Sequence, residues 1–275
     1  MTAMTRWTPR SFGPPAAGRG AIASIAAALA LFAAPLAAQG GGETPAVPDS
    51  APAAPQPEPA PNPATVPAAR GGAARARHDE INQRVAAAGA GCEIAFVGDS
   101  ITQGWESAGR AIWAERYAPH TAVNLGIGGD RTEHVLWRFE HGNLDGIAPK
   151  VAVVMIGTNN FGHGGFRAEQ VLEGVRTVVA VLREKLPTTK VLLLGIFPRG
   201  PAFNAMRGQI LQVNQALSHL HDGEAVHYLD IGAVFVEPDG SIDQAVMPDF
   251  LHLSADGYRR WADAIAPLLG RLLAG

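Results

Sequence analysis

Three short apolar runs constrain the fold of this chain more than any other feature of its sequence. They read IAFV at residues 94–97, VAVVMI at 151–156 and VLLLGI at 191–196, and each is apolar throughout rather than at alternate positions. Such runs are typical of strands that are covered on both faces, as in a parallel sheet. Two further strands are predicted from AVNL at 122–125 and VHYLDI at 226–231.

Amphipathic helices are predicted between and after these runs. Apolar residues recur at helical spacing from 171 to 186 and again from 261 to 272. The regular alternation of strands and helices predicts a three-layer α/β/α domain with a mainly parallel sheet of about five strands. Ligands of such domains bind at the carboxyl ends of the strands.

The N-terminal quarter of the chain does not share this pattern. An uncharged run rich in alanine and leucine ends in small residues near Ala38, and it follows three arginines, Arg6, Arg10 and Arg19. This order is typical of a secretory signal peptide, so we expect one at residues 1–38, with export to the periplasm or the cell exterior. The run falls short of the about 20 apolar residues of a membrane-spanning helix, so no stable span is expected. An uncleaved anchor and a disordered tail are the alternatives.

Residues 39–73 are rich in proline and alanine, and large apolar side chains are nearly absent from them. Such a segment cannot bury enough apolar surface to offset the entropy lost on ordering, so we predict a disordered, extended linker. The remaining residues, 74–275, are enough for a single domain with its own core.

Charge and cysteine content exclude some classes of function. The net charge is -3, the pI is about 6.3, and the lysines and arginines are scattered, so no nucleic-acid partner is expected. Cys92 is the only cysteine, which excludes an internal disulfide despite the predicted export. We interpret it as a buried structural thiol.

Polar residues follow the predicted strands. Ser100 comes after the first strand, GIGGDR after the second and GTNN after the third, while DFLH precedes the closing helix. Because the carboxyl ends of parallel strands share one edge of the sheet, we expect these clusters to lie there together. Ser100 by itself has two interpretations, a helix N-cap or a nucleophile, since a serine directly after a strand suits both.

Asp249 and His252 are three residues apart, which lets both side chains lie on one face of a helix-like turn. A carboxylate there can accept the Nδ1–H of the imidazole and leave Nε2 to take a proton from a hydroxyl. The alternative is a capping aspartate beside an ordinary surface histidine.

Gly129 and Asn159 are candidate donors to a developing oxyanion. The glycine lets the backbone approach a ligand closely, and the asparagine amide can reach the same place. The alternative for both is plain turn chemistry. A dinucleotide-binding loop is disfavoured, because Arg131 replaces the third glycine of the G-x-G-x-x-G pattern and the loop follows the second strand.

Four blocks occur in a fixed order along the domain: GDSIT, the glycine before Asp130, GTNN and DFLH. This order resembles that of the SGNH, or GDSL-type, serine esterases. A longer stretch from NLGIGGDR to GTNN, followed by LLGIFPRG and DFLHLSADGY, resembles more narrowly the catalytic subunits of intracellular platelet-activating-factor acetylhydrolases. The resemblance covers nearly all of the predicted domain.

The resemblance implies a flavodoxin-like fold, a mechanism and a set of site residues. Ser100 would be the nucleophile, His252 the general base and then acid, and Asp249 the carboxylate that orients it. The oxyanion donors would be the backbone N–H groups of Ser100 and Gly129 with the side chain of Asn159, and the acyl pocket would be formed by Ile101, Thr158 and Leu251. No metal or cofactor is implied, and the resemblance allows a homodimer.

An α/β-hydrolase is disfavoured, although it uses similar chemistry. The sequence around Ser100 is G-D-S-I-T, where the nucleophile elbow requires G-x-S-x-G. Asp249 and His252 also lie together in the chain instead of far apart. The pattern therefore favours a comparable triad on a different fold.

The expected function is that of an exported serine esterase acting on short acyl esters, in particular acetyl esters, of a small molecule, a glycan or a lipid. The alternatives are a carbohydrate O-deacetylase of the same mechanism and a non-catalytic module that binds a glycan or lipid on this fold. The resembled acetylhydrolases are intracellular, whereas this chain has a predicted signal peptide. Their phospholipid substrate and protein partner are therefore not transferred to it.

Overall fold

The computed structural model describes residues 60–275. The predicted signal peptide and the predicted linker up to residue 59 lie outside the described residues.

Within residues 60–275, a five-stranded, fully parallel sheet forms the centre of the domain, with the strand order β2-β1-β3-β4-β5. The strands are β1 (Ile94–Gly98), β2 (Val123–Asn124), β3 (Val151–Met155), β4 (Lys190–Leu194) and β5 (Val226–Leu229). The predicted α/β class and parallel sheet are confirmed. β2 is shorter than the AVNL run, because Asn124 Oδ1 accepts the N–H of Gly126 at 2.8 Å and turns the chain.

Helices cover both faces of this sheet. In the described part of the chain they are α1 (Gly72–Ala88), α2 (Ser100–Gln103), α3 (Arg110–Arg116), α4 (Thr132–Glu140), α5 (Thr158–Gly162), α6 (Ala168–Lys185), α7 (Ala205–Leu217) and α8 (Ala255–Ala274). Short 3₁₀ helices lie at Pro63–Thr65, Gly89–Gly91, Gly104–Glu106, Ala118–His120, Ser218–Leu220 and Gly232–Phe235. The predicted helices at 171–186 and 261–272 correspond to α6 and α8.

Alternate residues of each strand point into two separate apolar cores. On one face, Val97 and Val154 pack with residues of α1, α4, α6 and α7. On the other face, Phe96 and Val153 pack with α3 and with Trp261 of α8. Each fully buried large apolar side chain contributes about 1.5–3 kcal/mol, so the continuous apolar runs stabilise both faces of the sheet at once.

The chain before α1 packs on the domain. We call residues 62–70 the N-terminal strap. Ala64 is fully buried, and its carbonyl accepts the hydroxyl of Thr132 at 2.8 Å. The N–H of Ala68 donates to the carbonyl of Glu133 at 3.0 Å. The strap is therefore fastened to the first turn of α4.

This packing differs from the predicted disordered linker at 39–73 and from the predicted start of the domain at residue 74. The strap is ordered by hydrogen bonds, for which large apolar side chains are not needed. Asn62 Oδ1 accepts the N–H of Ala64 at 3.0 Å and caps the short 3₁₀ helix, and Pro63 supplies a fixed φ at its first position. Asn62 Nδ2 donates to the carbonyl of Gln170 on α6 at 3.0 Å.

Cys92 lies just before β1, where it is 2% exposed and forms no disulfide. Burial raises the pKa of its thiol to about 11, which disfavours the reactive thiolate and agrees with a structural role. None of the helices in residues 60–275 combines the length and apolar character that crossing a bilayer requires.

Candidate active site

Ser100 is the first residue of α2, directly after the carboxyl end of β1. The N-cap position of this helix belongs to the preceding residue, since Asp99 Oδ1 accepts the N–H of Ile101 at 2.9 Å. The Ser100 hydroxyl is therefore free for another partner, which it finds in His252. Its Oγ lies 2.9 Å from His252 Nε2. The structure thus favours the nucleophile interpretation of Ser100 over the N-cap.

His252 and Asp249 interact as the i, i+3 spacing predicts. His252 Nδ1 lies 2.6 Å from Asp249 Oδ2, so the carboxylate orients the ring with Nε2 toward Ser100. The other carboxylate oxygen, Oδ1, accepts the backbone N–H groups of Leu251 at 3.1 Å and of His252 at 2.7 Å. Burial opposes ionisation of Asp249, but the hydrogen bonds from the side chain and backbone of His252 lower its pKa overall.

The segment that carries these two residues is a turn, where the sequence predicts helix-like backbone. Phe250, between them, has a φ of 59°, in the left-handed region that side chains other than glycine seldom adopt. Its carbonyl accepts the N–H of Gly200, and its own N–H donates to Met247. These bonds hold Phe250 in a conformation that costs free energy, within the turn that carries Asp249 and His252.

Tyr258 connects the short helix that begins at Ser100 to α8. Its hydroxyl donates to the carbonyl of Ile101 at 2.6 Å, and its ring is 2% exposed. The ring packs against Trp105, with a centroid distance of 4.5 Å. The short helix that begins at Ser100 is therefore held by a buried aromatic cluster, and the sequence analysis did not identify this support.

The three predicted oxyanion donors, the N–H groups of Ser100, Gly129 and the Asn159 side chain, have hydrogens available for a ligand. Within residues 60–275, no hydrogen bond is formed by the backbone N–H of Ser100 or of Gly129. Gly129 has a φ of 77°, a conformation that favours glycine. Asn159 Nδ2 donates one hydrogen to the carbonyl of Asp130 at 3.0 Å, and its second hydrogen is left for a ligand. This set has the composition of an oxyanion hole.

A buried ion network supports the turn that carries Gly129. Asp130 is 1% exposed at its side chain and accepts Arg138 Nε at 2.8 Å and Arg70 Nη1 at 2.7 Å. Arg138, on α4, is 3% exposed at its side chain and also hydrogen-bonds Asn143. Burial opposes the charged form and lowers the pKa of Arg138, while Asp130 works in the opposite direction. Residues 128–130, which we call the oxyanion turn after their predicted role, are thus anchored to the domain interior.

Asp99 is fully buried beside this network. Burial raises the pKa of its carboxyl to about 7, and the charge of Asp130 acts in the same direction. Its Oδ2 has no hydrogen-bond partner within the described chain. A protonated carboxyl is the form that such an environment favours.

The predicted acyl-pocket residues are chain neighbours of the predicted catalytic and oxyanion residues. Ile101 follows Ser100 and Thr158 precedes Asn159, both 1% exposed, while Leu251 lies between Asp249 and His252. Arg199, after β4, donates through Nη1 to Thr158 Oγ1 at 3.2 Å. Within residues 60–275, Arg199 forms no salt bridge, and burial lowers the pKa of its guanidinium.

Sequence reasoning missed the residues that support the site from a distance, namely Arg70, Asp99, Arg138, Arg199 and Tyr258. The contacts of Arg70, Arg199 and Tyr258 span 41 to 157 positions in the chain, so no local spacing signals them. Arg138 lies eight positions from its partner Asp130, and Asp99 contacts Ile101 two positions away. Asp99 and Asp130 stand inside the recognised blocks, so a buried role could have been considered for them. No group of three or more metal-ligating side chains is found in the part of the chain that the structure describes.

Comparison with known proteins identifies one family over most of the domain. The model of the GDSL-like Lipase/Acylhydrolase family matches residues 96–260. The platelet-activating factor acetylhydrolase IB subunit alpha1 of Homo sapiens is 44% identical over 183 residues, which cover 66% of this chain and 77% of that protein. The alpha2 subunit of Rattus norvegicus is 41% identical over 182 residues, with the same two coverages, 66% and 77%.

A solved structure described as that of an acylhydrolase from Bacteroides fragilis NCTC 9343 supports the fold. Its TM-score is 0.62 at 20% sequence identity, and the match covers 74% of this chain and 100% of that one. The extent of the family match and the identity to the acetylhydrolase subunits confirm the resemblance drawn from the four blocks. This chain belongs to the GDSL-like lipase/acylhydrolase family and is an ester hydrolase.

Proposed function

We propose that this protein is an exported serine esterase that removes short acyl groups, acetyl in particular, through an acyl-enzyme on Ser100. The observation that carries the proposal is the chain of two hydrogen bonds from Ser100 Oγ to His252 Nε2, at 2.9 Å, and from His252 Nδ1 to Asp249 Oδ2, at 2.6 Å. A base that is itself oriented by a carboxylate is the arrangement that activates a serine hydroxyl.

Acylation begins when His252 Nε2 takes the proton of Ser100 and Oγ attacks the ester carbonyl carbon. The carbonyl oxygen becomes an oxyanion, which the N–H groups of Ser100, Gly129 and Asn159 stabilise. As the intermediate collapses, His252 returns the proton to the departing alkoxide, and the alcohol leaves an acyl group on Ser100. Asp249 stabilises the imidazolium that exists between these two transfers.

Deacylation repeats the same steps with water as the nucleophile. His252 takes a proton from the water, the hydroxide adds to the acyl carbon, and the same three donors stabilise the second oxyanion. The proton then returns to Ser100 Oγ as the carboxylic acid departs. The catalytic groups are thus restored after each turnover.

The preference for a short acyl group rests on the walls of the acyl pocket. Ile101 and Thr158 are branched at Cβ and almost completely buried, and Arg199 donates a hydrogen bond to the Thr158 hydroxyl. Branched side chains fixed in this way leave little depth for a long chain. The names of the two related subunits point in the same direction, since both are acetylhydrolases.

A carbohydrate O-deacetylase of the same mechanism is a second candidate. The side chains of Asp249 and His252 are 56% and 46% exposed, so the alcohol side of the site is open. An open site accommodates a bulky alcohol, such as a sugar, as readily as a small one. Release of acetate from an acetylated oligosaccharide, compared with a small acetate ester, tests this candidate.

Hydrolysis of p-nitrophenyl esters of two, four and eight carbons tests the esterase proposal. The matched control is the Ser100→Ala variant. We expect the acetate to be cleaved fastest and the variant to be inactive. Equal activity of the variant would exclude Ser100 as the nucleophile, and fastest cleavage of the longest ester would exclude the short acyl pocket. Absence of turnover by a folded wild-type protein would favour the binding module.

Export is proposed from the order of arginines, apolar run and small residues before Ala38. The test is cell fractionation followed by N-terminal sequencing of the mature protein. We expect the protein outside the cytoplasm, beginning after Ala38. A protein that keeps Met1, or that stays in the cytoplasm, would contradict the proposal.

A further inference from the structure

Arg70, the last residue of the N-terminal strap, contacts the turn that carries the predicted oxyanion donor Gly129. Its Nη1 donates to the carbonyl of Gly128 at 2.7 Å and to Asp130 Oδ1 at 2.7 Å. One guanidinium nitrogen thus joins the residues on both sides of Gly129. A Cβ built at Gly129 would lie 3.1 Å from Arg70 Nη2, so the guanidinium also lies close against that glycine.

The contacted turn positions two of the three predicted oxyanion donors. Gly129 supplies its own N–H, and the carbonyl of Asp130 accepts Asn159 Nδ2 at 3.0 Å and so orients that side chain. Gly128 is held on its other side, because its N–H donates to Gln103 Oε1 at 2.7 Å. A small displacement of the turn would therefore move both donors together, and oxyanion stabilisation depends steeply on such geometry.

Neutralising Asp130 does not by itself account for Arg70. Arg138 Nε already donates to Asp130 Oδ2 at 2.8 Å from the domain interior. Of these two arginines, only Arg70 donates to the Gly128 carbonyl. This hydrogen bond holds the backbone of a turn rich in glycine. The side chain of Arg70 is 31% exposed, against 3% for Arg138.

The strap holds Arg70 in place for this contact. Asn62, Ala64 and Ala68 attach the strap to α4 and α6 through hydrogen bonds of 2.8–3.0 Å. A long side chain that extends from a fixed backbone loses less conformational freedom when it forms its bonds. The Arg70 guanidinium therefore reaches the oxyanion turn from the N-terminal strap, which precedes α1 and the first strand of the sheet.

We propose that Arg70 is a positioning residue for ester hydrolysis: it sets the geometry of the Gly128–Asp130 turn and thereby of the donors Gly129 and Asn159. The end of the segment that leads into the domain is then a part of the active site. This inference rests on the proposed function. Arg70 acts through the turn and does not touch the reacting atoms.

The test compares Arg70→Ala with Arg75→Ala in the full chain. Arg75 is the matched control, because it is a nearby arginine on α1 whose ion pair with Asp79 is exposed, at 52% and 54% of the two side chains. With p-nitrophenyl acetate we expect kcat of Arg70→Ala to fall about tenfold to a hundredfold, with KM little changed, because the donors act in the transition state. Arg75→Ala should keep wild-type values of both.

Chemical rescue separates positioning from a structural role. The site of Arg70 is partly exposed, so guanidinium ion at a low, non-denaturing concentration can occupy it in Arg70→Ala. We expect guanidinium to restore part of kcat in Arg70→Ala and to leave Asn159→Ala and Arg75→Ala unchanged, with sodium chloride as the ionic-strength control. Circular dichroism and the melting temperature report whether the variants are folded.

Three results would overturn the inference while the wild type is active: an unchanged kcat in Arg70→Ala, an equal loss in Arg75→Ala, or a loss that follows unfolding and is not rescued by guanidinium. The labelling rate of Ser100 by a fluorophosphonate, followed by intact mass, gives a second readout. Phosphonylation uses the same oxyanion donors and does not need a carboxylic ester as substrate. A wild type that is labelled but does not hydrolyse the esters contradicts the proposed function alone. Equal labelling rates of wild type and Arg70→Ala contradict the role of Arg70.

Discussion

The two halves of the candidate site are built in different ways. The half with Ser100, His252 and Asp249 lies near the surface, where the side chains of His252 and Asp249 are 46% and 56% exposed. The half with the oxyanion turn rests on Asp130 and Arg138, which are 1% and 3% exposed. In the first half the paired groups can exchange their partners for water, and in the second they cannot.

From this difference we expect the exposed triad to govern the reaction rate and the buried Asp130 network to govern the stability of the fold. Exposed polar groups that lose a partner are solvated at little cost, so changes in the triad should affect the rate more than the fold. A buried charge that loses its partner is left without compensation, so changes in the Asp130 network should affect the fold strongly. The predictions below test this separation.

Replacement of the nucleophile should have the largest effect. Ser100→Ala is expected to lower kcat for p-nitrophenyl acetate by about 10⁴-fold or more, because the attacking atom is lost. The free energy of unfolding should change little, since Asp99 and not Ser100 caps α2. Ester kinetics and urea unfolding of the same preparation measure both. A large loss of stability would contradict the separation of the two halves.

Removal of the buried carboxylate should mainly affect stability. Asp130→Asn is expected to reduce the free energy of unfolding by about 3–5 kcal/mol, because Arg138 is left buried without its ion pair. The control is Asp263→Asn, whose pair with Arg116 is exposed, with 57% and 30% of the side chains accessible. Its loss should stay below about 1 kcal/mol. Urea unfolding measures both, and equal losses would show that burial of Asp130 does not govern the cost.

Removal of one oxyanion donor should slow catalysis without impairing substrate binding. Asn159→Ala is expected to raise the barrier by about 3–4 kcal/mol, which lowers kcat and leaves KM nearly unchanged. Steady-state kinetics with p-nitrophenyl acetate measure the two parameters separately. An unchanged rate of ester cleavage would remove Asn159 from the mechanism.

The buried carboxyl of Asp99 should give a smaller, pH-dependent effect. Burial raises its pKa to about 7 from an ordinary 3.8, so the folded state binds a proton more tightly than the unfolded state does. Its contribution to stability is therefore fully present below the unfolded pKa and is lost as pH rises through the folded pKa. The difference in unfolding free energy between wild type and Asp99→Asn should fall by at most about 1.4 kcal/mol per pH unit and then level off.

Urea unfolding at several pH values on both sides of neutrality measures this difference. Asn at position 99 keeps an acceptor for the N–H of Ile101, so the cap of α2 is retained in the variant. Subtracting the two curves removes the contribution of other titrating groups, such as His134, whose burial lowers its pKa to about 3. A difference that does not vary with pH would show that Asp99 titrates alike in both states.

Much of the fold followed from local pattern. The continuous runs at 94–97, 151–156 and 191–196 predict buried strands because both faces of each strand need apolar side chains. The N-terminal strap was assigned to the linker because it has few large apolar side chains and therefore lacks the pattern that predicts a buried element. It is ordered by hydrogen bonds to α4 and α6, and these partners are distant in the chain.

The candidate site divides in the same way. Asp249 and His252 were found because their interaction is local, with a spacing of three residues that a single turn can use. Phe250 between them has a left-handed φ of 59°, where a helix-like turn was expected, because the segment is held by Met247 and Gly200 and not by helical hydrogen bonds. The spacing was informative, but the backbone conformation depended on contacts from outside the segment.

The sequence by itself determined the class of fold, the four polar blocks, three of which follow strands, and the residue types that ester hydrolysis needs, because local periodicity or a short motif encodes each of them. The tertiary structure decided that Ser100 lies within hydrogen-bond distance of His252, 152 positions away in the chain. It also decided which charges are buried around the oxyanion turn and that Arg70 contacts it. Such features depend on which distant segments pack together, and no local pattern records that choice.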